Sequence, residues 1–520
     1  MEETHVFSPT LVNTARLGFN RNAVINYEIV GAINPAAADS SLGVFPGGDN
    51  PSIRISGGIA AMNAGLNGGF SHHDWNSIQF YDDAFLTRGK HALKVGFALE
   101  RMRYNFFQKY NPQGIVRFGS LASFLTNQPN SFEGGLPDRD DPRGLRQTIF
   151  GGYIQDDWRV RHNLTLNIGL RYEMATVLNE VQGKLTNLRN FTDPLPYCGT
   201  TDPALTNVFG KPGCAGGPAP YYSNPTTLNF EPRFGFAWDP RGDGKTAVRG
   251  GFAMFDILPL PGYYYTQQGI ETPFFLTAVL TTTPTTPLAG LLGVPASDPR
   301  SAYKKFGASS LTGAYMEPDP KRNYIEQWNI NVQRQLTSSL TATVGYIGSH
   351  GVHMLIRGDD GNMVIPTQTS AGFLWPNNPT GKDLRINPNF GGIRFMSFGS
   401  GSSYEGLQVN IQKRMSHGFQ FGGSYTYSKA MDDSSATIAG DSFSNTITSW
   451  FWFAPQISHS VSDFNVTHSS AINGIWQVPV SQSLHGPAAA VLRGWQLGSI
   501  LKLNSGVPTT PVIGGDPLGV

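Results

Sequence analysis

The strongest regularity in the chain is an alternation of apolar and polar residues with a period of two. Leu164, Leu166, Ile168, Leu170, Tyr172 and Met174 share one face, and Asn163, Thr165, Asn167, Gly169, Arg171 and Glu173 share the other, without exception. Phe419, Phe421, Tyr425 and Tyr427 alternate with Gln420, Ser424, Thr426 and Ser428. Tyr324, Trp328, Ile330, Val332 and Leu336 alternate with Gln327, Asn329, Asn331, Gln333 and Gln335. Period two marks a β-strand with one apolar face, because successive side chains point to opposite sides. Short links rich in Gly, Asp, Ser and Pro, which accept turn geometry, separate the segments in pairs. They predict hairpins of 76–87 with 91–104, 147–160 with 163–176, 228–239 with 245–256, 323–336 with 340–348, 404–416 with 418–430, and 466–478 with 493–505, the last through a longer proline-containing link. Residues 11–20 add a strand and residues 1–6 the end of another, giving thirteen strands and a stub.

The connections between hairpins are long: 22–75, 105–146, 177–226, 257–322, 349–403 and 431–465. Loops of that length are uncommon in compact soluble domains. Here they alternate with tight turns, as in an outer-membrane β-barrel with short periplasmic turns and long extracellular loops. Soluble strands have a mode of about 5–6 residues, whereas a tilted membrane-crossing strand needs about 9–11. The predicted fold is therefore all-β, a transmembrane antiparallel β-barrel. The polar face is largely neutral, as from Gln327 to Gln335, which suits a wet lumen better than the Lys- and Glu-bearing face of a soluble sandwich. Trp158, Tyr172, Trp238, Tyr346 and Trp476, near strand ends, are either interfacial girdle residues or ordinary sheet packing.

Composition narrows the alternatives. Charged residues are 14%, against roughly 25% in an ordinary soluble chain, and Gly is 61 of 520 residues. That excludes coiled coils and long surface helices, while 12% aromatics argue against disorder. A net charge of +1 gives no overall electrostatic footprint for nucleic acid or anionic lipid. No run approaches the roughly 18 apolar residues of a membrane helix. The first ten residues lack the parts of a signal peptide, so the chain is either cytosolic or a fragment without its targeting segment.

The chemistry-bearing residues do not assemble a catalytic set. Asp82-Asp83, Asp156-Asp157 and Asp432-Asp433 are paired acids, but general acid–base work needs two carboxylates facing one cleft, and adjacent strand residues such as Asp156 and Asp157 point to opposite faces, so structural or lumen-polar roles are expected. His72-His73 and His350 with His353 fall in expected external loops and lack further ligands for a metal. No nucleophile elbow, phosphate loop or dinucleotide fingerprint is present. No catalytic residue, metal site or cofactor is expected. Cys198 and Cys214 are either unrelated thiols or a loop disulfide, which requires an oxidising compartment. Their closeness within one loop favours the bridge, and two Cys without a nearby His leave a zinc site incomplete.

Longer matches add a family. Phe150-Gly-Gly-Tyr-Ile-Gln-Asp-Asp-Trp-Arg-Val160, followed by Leu164-Thr-Leu-Asn-Ile-Gly-Leu-Arg-Tyr-Glu173, resembles the barrel of TonB-dependent outer-membrane receptors. Thr87-Arg-Gly-Lys-His-Ala-Leu-Lys-Val-Gly-Phe97, Glu231-Pro-Arg-Phe-Gly-Phe-Ala-Trp-Asp-Pro240, Tyr324-Ile-Glu-Gln-Trp-Asn-Ile-Asn-Val-Gln-Arg334 and Ser424-Tyr-Thr-Tyr-Ser-Lys-Ala-Met-Asp-Asp433 are similar to the Oar-like branch. Gly494-Trp-Gln-Leu-Gly498 and Ser505-Gly-Val-Pro508 close a series that runs in one order along nearly the whole chain. The resemblance implies a barrel of about 22 strands around a plug, preceded by a signal peptide, a regulatory-like domain and a TonB box. None of these is visible, and no terminal aromatic strand closes the sequence, so residues 1–520 are expected to be a partial barrel truncated at both ends.

The resemblance implies energy-coupled uptake of a bulky, scarce ligand across the outer membrane. Its expected partners are outer-membrane lipid, the TonB complex acting through the missing N-terminal part, and an unidentified extracellular ligand; nucleic acid is not among them. Two other functions stay open, an outer-membrane adhesion or export protein and a secreted carbohydrate-binding β-protein. The aromatic-rich segments 261–265 and 449–453 fit either, since aromatic faces stack on sugars and also pack in barrel loops.

Overall fold

The computed structural model describes residues 1–26, 34–35, 39, 50–56, 59, 70–140, 142–208, 211–215, 223, 227–262, 264, 269, 271–281, 311–358, 360–376, 385–435, 451–480, 485–492 and 494–509. Fourteen strands follow one another in an antiparallel meander. They are β1 Glu2–Ser8, β2 Leu11–Asn26, β3 Ser71–Arg88, β4 His91–Gln108, β5 Arg143–Arg161, β6 Leu164–Ala175 and β7 Phe230–Trp238. Then come β8 Thr246–Asp256, β9 Tyr324–Gln335, β10 Leu340–Gly358, β11 Gly392–Ser416, β12 Phe419–Asp432, β13 His468–Gln477 and β14 Gln496–Asn504. Each pairs with the next. Three short segments, Asn179–Glu180, Thr312–Met316 and Ser460–Val461, extend the sheet to seventeen strands. β1 and β14 are its edges and do not pair with each other among the described residues, so the barrel is not closed.

All six expected hairpins are present, joined by turns whose chemistry is local. His417 and Gly418 both have positive φ, 54° and 72°, between the paired Ser416 and Phe419. Positive φ at both central residues is the turn whose twist matches paired strands. Between β7 and β8, the Asp239 carboxylate accepts hydrogen bonds from the backbone N–H of Arg241, Gly242 and Gly244 at 3.2, 3.0 and 2.7 Å. These bonds hold the Asp239 carboxyl below its usual range, the Gly244 N–H contributing most.

The register fixes the strand tilt. Leu11, Leu86, Leu93, Asp156, Ile168, Phe234, Phe252, Trp328, Gly348, Glu405 and Lys429 form one continuous hydrogen-bonded row from β2 to β12. Leu11 begins β2 at the turn end, whereas Lys429 lies ten residues beyond Phe419, where β12 begins (429 − 419 = 10). Ten strand steps thus climb ten residues. With about 3.3 Å per residue and 4.8 Å between strands, that slope is a tilt of about 35°, at the lower end of the range for membrane barrels. Each residue then rises about 2.7 Å, so an apolar band about 25 Å tall is crossed in about nine residues.

Six strands run at least four residues further than the alternation predicts, all at the loop end: β2, β3, β4, β5, β10 and β11. β4 shows why. Val95, Phe97 and Leu99 are exposed on the outer face, and above Glu100 the polarity inverts. Arg101 and Arg103 point outward while Met102, Tyr104 and Phe106 are buried on the lumen side. The period of two continues, but the apolar face changes sides, because beyond the membrane the dry side is the interior.

What becomes dry there is a cap. Tyr104, Phe106, Leu145, Leu355, Met396 and Phe398 from the strand extensions pack with Leu178, Leu185, Tyr264 and Met316 from the connections. A second cluster joins Leu188, Phe191, Ile356, Phe390, Ile393 and Phe395, with Trp452 against it. A separate four-stranded sheet contains Phe275–Thr281, Ser131–Asp140, Ile115–Phe118 and Ser52–Ile55 in that order. The connections expected as plain loops therefore carry strands and cores of their own. His72 and His73 lie in β3, and His350 and His353 in β10, rather than in loops.

Candidate ligand-facing wall and extracellular cap

The lumen face was expected to be largely neutral; across β2 to β7 it is instead a ladder of charge. Thr14, Asp83, Gly96, Tyr153, Arg171 and Glu231 lie in register on that face. Arg16 pairs with Asp83. The Tyr153 hydroxyl donates to Asp83 Oδ1 at 2.7 Å. It reaches over Gly96, where a Cβ would stand 2.3 Å from Tyr153 Cε1, so only glycine leaves the path open. Arg171 binds Glu173 and places its guanidinium 6.0 Å from the centre of the Tyr153 ring. Arg233 donates to Glu231 at 2.9 Å, and Glu231 also accepts from the Asp256 N–H at 3.2 Å. At the loop end, Arg322 grips Asp256 with two bonds of 2.7 and 2.9 Å.

Three lumen-facing arginines thus interleave with three carboxylates. The ladder offers fixed donors and acceptors to a polar occupant. Beside it, Gln155, Asn167, Arg233, Gln327 and Asn329 line a hollow that Gly169, Gly235 and Gly251 leave without side chains. Each ladder residue was visible as a charge in the sequence. The link from Asp83 to Tyr153, two strands away, was not, because register across long connections cannot be read from alternation.

Asp156 and Asp157 divide as expected. Asp157 faces the lumen and accepts from Asn167 Nδ2 at 2.6 Å, while Asp156 lies on the outer face against His91 Nδ1 at 2.6 Å.

The cap is tied by one covalent link and several buried asparagines. Cys198 and Cys214 are joined by a disulfide, S–S 1.98 Å, across a separation of 16 residues. Cys198 is buried, and Tyr197–Cys198 pairs with Thr186–Asn187. The Asn187 side chain bonds both the N–H and the carbonyl of Met316, at 2.6 and 2.9 Å. Asn387 donates to the carbonyls of Phe191 and Asp193 at 2.8 and 2.7 Å. Phe191 stacks on Trp452 with ring centres 4.2 Å apart. Phe373, Trp375, Phe451 and Phe453 form a half-buried aromatic group at the surface. Of the aromatic-rich segments, Tyr264 is buried in the core, while Tyr263, Tyr265, Ser449 and Trp450 lie outside the described residues.

The girdle candidates separate by height. Trp158 stacks on His91 at 5.5 Å near the turn end of β5. Trp238 ends β7, and Trp476 is the penultimate residue of β13, both 43% exposed at the same edge of the sheet. Tyr172 lies near the loop end of β6, against Phe230 at 5.2 Å. Tyr346 departs from the expectation: it is six residues above Leu340, between Ile330 and Leu407, in the middle of the apolar band. Its β-strand continues far beyond the band into the cap, which moves the true strand end away from it. Tyr427, exposed and eight residues beyond Phe419 where β12 begins (427 − 419 = 8), stands higher, with its ring 5.3 Å from that of His468.

The model of a family described as an outer membrane beta barrel domain matches residues 1–520. The chain belongs to that family. An outer membrane beta barrel domain places it in the outer membrane of a Gram-negative type of envelope, and the cytosolic and secreted alternatives fall. No curated protein matches the chain. Among solved structures, it is similar to the outer membrane transporter YddB from Escherichia coli, at 9% identity and a TM-score of 0.47, covering 96% of this chain and 53% of that one. It is similar to the copper transporter OprC at 9% identity and a TM-score of 0.43, with coverage of 90% and 48%. The pyoverdine outer membrane receptor FpvA from Pseudomonas aeruginosa PAO1 gives 11% identity and a TM-score of 0.41, with coverage of 92% and 47%. The chain spans about half the length of these structures.

Proposed function

We propose that this outer-membrane barrel chain is the wall and cap of a TonB-dependent receptor of the Oar-like branch. A bulky, scarce ligand is captured at the cell surface and drawn inward at the expense of inner-membrane energy through the TonB complex. Further strands and an internal plug, outside residues 1–520, complete the barrel. The observation that carries this reading is the cap. Lumen-facing apolar residues at the loop ends of β3, β4, β5, β10 and β11 pack with the connections over a wall of fixed charge. A diffusion pore keeps a water-filled channel; a capped lumen suits a receptor that must bind before it opens. The ordered motif series along the chain supports the same branch.

The test is growth of the source cell on a siderophore-bound metal, cobalamin or an oligosaccharide as the sole supply. The reading expects one of these to need both the full-length gene and an active TonB complex. Growth that needs the gene but not the TonB complex would refute energy coupling. Loss of surface attachment with no growth defect on any of the three would favour adhesion.

A further inference from the structure

A patch on the outer face of β2 to β5 is neither apolar nor paired. Arg21, Asn76, Arg103 and Arg146 occupy one hydrogen-bonded row, with Asn179 at its end. Arg101 lies two residues below Arg103 on the same face. Arg103 and Arg146 are direct cross-strand partners, a position that brings Cβ atoms to about 5 Å and penalises like charges. Arg21 has Asp74 at 3.4 Å. The other three have no carboxylate within ion-pair distance among the described residues. Arg101 donates to Thr148 Oγ1 at 2.7 Å, and Arg146 to Asn105 Oδ1 and the Leu145 carbonyl at 2.9 and 2.8 Å. The Arg103 side chain has no hydrogen-bond partner among the described residues. The nearest buried acid, Glu180, is already held by the N–H groups of Gly144, Gln182 and Lys184.

The height of the patch identifies its surroundings. Arg21 and Arg101 stand ten residues above Leu11 and His91, and Arg103 twelve, so they rise about 27 and 32 Å from the turns. Directly beneath them on the same face are Phe19, Ile78, Phe80, Val95, Phe97 and Leu99, all exposed. The arginines therefore meet the outer leaflet where its hydrocarbon ends and its headgroups begin. The chain's net charge of +1 conceals this local concentration.

We propose that Arg101, Arg103 and Arg146 form a binding site for the phosphate of an outer-leaflet lipid, its acyl chains lying along the apolar face of β2 to β5. A phosphate between the three guanidiniums would accept forked, charge-assisted hydrogen bonds and relieve the repulsion between opposed arginines. The site rests on the outer-membrane location and is independent of what the lumen carries.

The experiment uses the full-length protein, purified in detergent and stripped of lipid, with folding monitored by heat-modifiable migration. Bisphosphorylated lipid A, dephosphorylated lipid A and inorganic pyrophosphate are titrated separately, and binding is read by native mass spectrometry. Bisphosphorylated lipid A should bind, with affinity falling about tenfold for each arginine changed to Gln. The dephosphorylated lipid should bind the unaltered protein no better than the triple variant R101Q/R103Q/R146Q binds the phosphorylated one. A triple Lys variant should keep part of the affinity, and Arg88→Gln, at the opposite end of β3, all of it. If the triple Gln variant does not fold, Arg103→Gln alone carries the test, since the Arg103 side chain makes no hydrogen bond among the described residues. Equal binding of both lipid A forms, an unchanged affinity in the Gln variants, or pyrophosphate binding as tightly as the lipid would overturn the proposal.

Discussion

Introducing an arginine on either face of the sheet measures which face meets lipid, and the structure ranks four such variants. Ile330 is 49% exposed and five residues above Gln335, about 14 Å from the turn and halfway up a band of about 25 Å. Its cross-strand neighbours are Gly250 and Tyr346, neither of which can neutralise a cation. Ile330→Arg should cost close to the top of the about 2–4 kcal/mol range for a midplane arginine. Ile168 also faces outward, but it stands opposite Asp156, so Ile168→Arg should cost about 2 kcal/mol. On the lumen face, Asn331 is opposite Arg249, and Asn331→Arg creates a like-charge pair worth up to about 1 kcal/mol. Asn167 already donates to Asp157, and Asn167→Arg keeps a donor there with added charge, so its cost should be near zero. The gap between Ile330→Arg and Asn167→Arg is then about 3 kcal/mol, roughly a hundredfold in the folding equilibrium. The assay is urea-dependent folding of the full-length protein in lipid vesicles. Equal costs for these two variants would mean both faces are packed interior, and a reversed order would mean that the apolar face is not the lipid face.

Three further outcomes are expected. Cys198 and Cys214 should resist thiol labelling until reduced, and changing both to Ser should loosen the cap by about 3 kcal/mol from loop-closure entropy, read as faster proteolysis of surface-exposed protein. Asn187→Ala removes the two side-chain bonds to the Met316 N–H and carbonyl in a buried site and should cost about 1–3 kcal/mol, read the same way. Asp239, its carboxyl lowered by backbone N–H groups, contributes stability that is present above the ordinary Asp range and lost as the pH falls through its lowered value. The urea midpoint of Asp239→Asn should therefore change less with acidification than that of the unaltered protein.

The membrane-crossing half of the fold was legible in the sequence because one physical rule governs it: lipid outside and water inside impose alternation, and tight turns limit the choice of partner. The rule fails above Glu100 and its counterparts, where the same strand leaves lipid for water and Met102, Tyr104 and Phe106 take the dry side. There the apolar residues sit on the face that the lower half reserves for polar ones. The charge ladder was hidden for another reason. Asp83 and Tyr153 are 70 residues apart, and no local pattern shows that Gly96 clears the way between them. Tyr346 looked terminal only because β10 seemed shorter than its actual extent, Leu340–Gly358.

The asparagine ties of the cap set an order of assembly. Asn187 reaches Met316 across 129 residues, and Asn387 reaches Phe191 across 196. Such contacts reward the chain only after something else has closed the intervening loops. Here that something is the sheet, which brings the upper ends of β3 to β5 and of β10 to β11 to their places. The connections are therefore expected to cross the membrane as open chain and condense afterwards. A lesion in the cap should leave insertion intact and appear only late, as surface loops that never close.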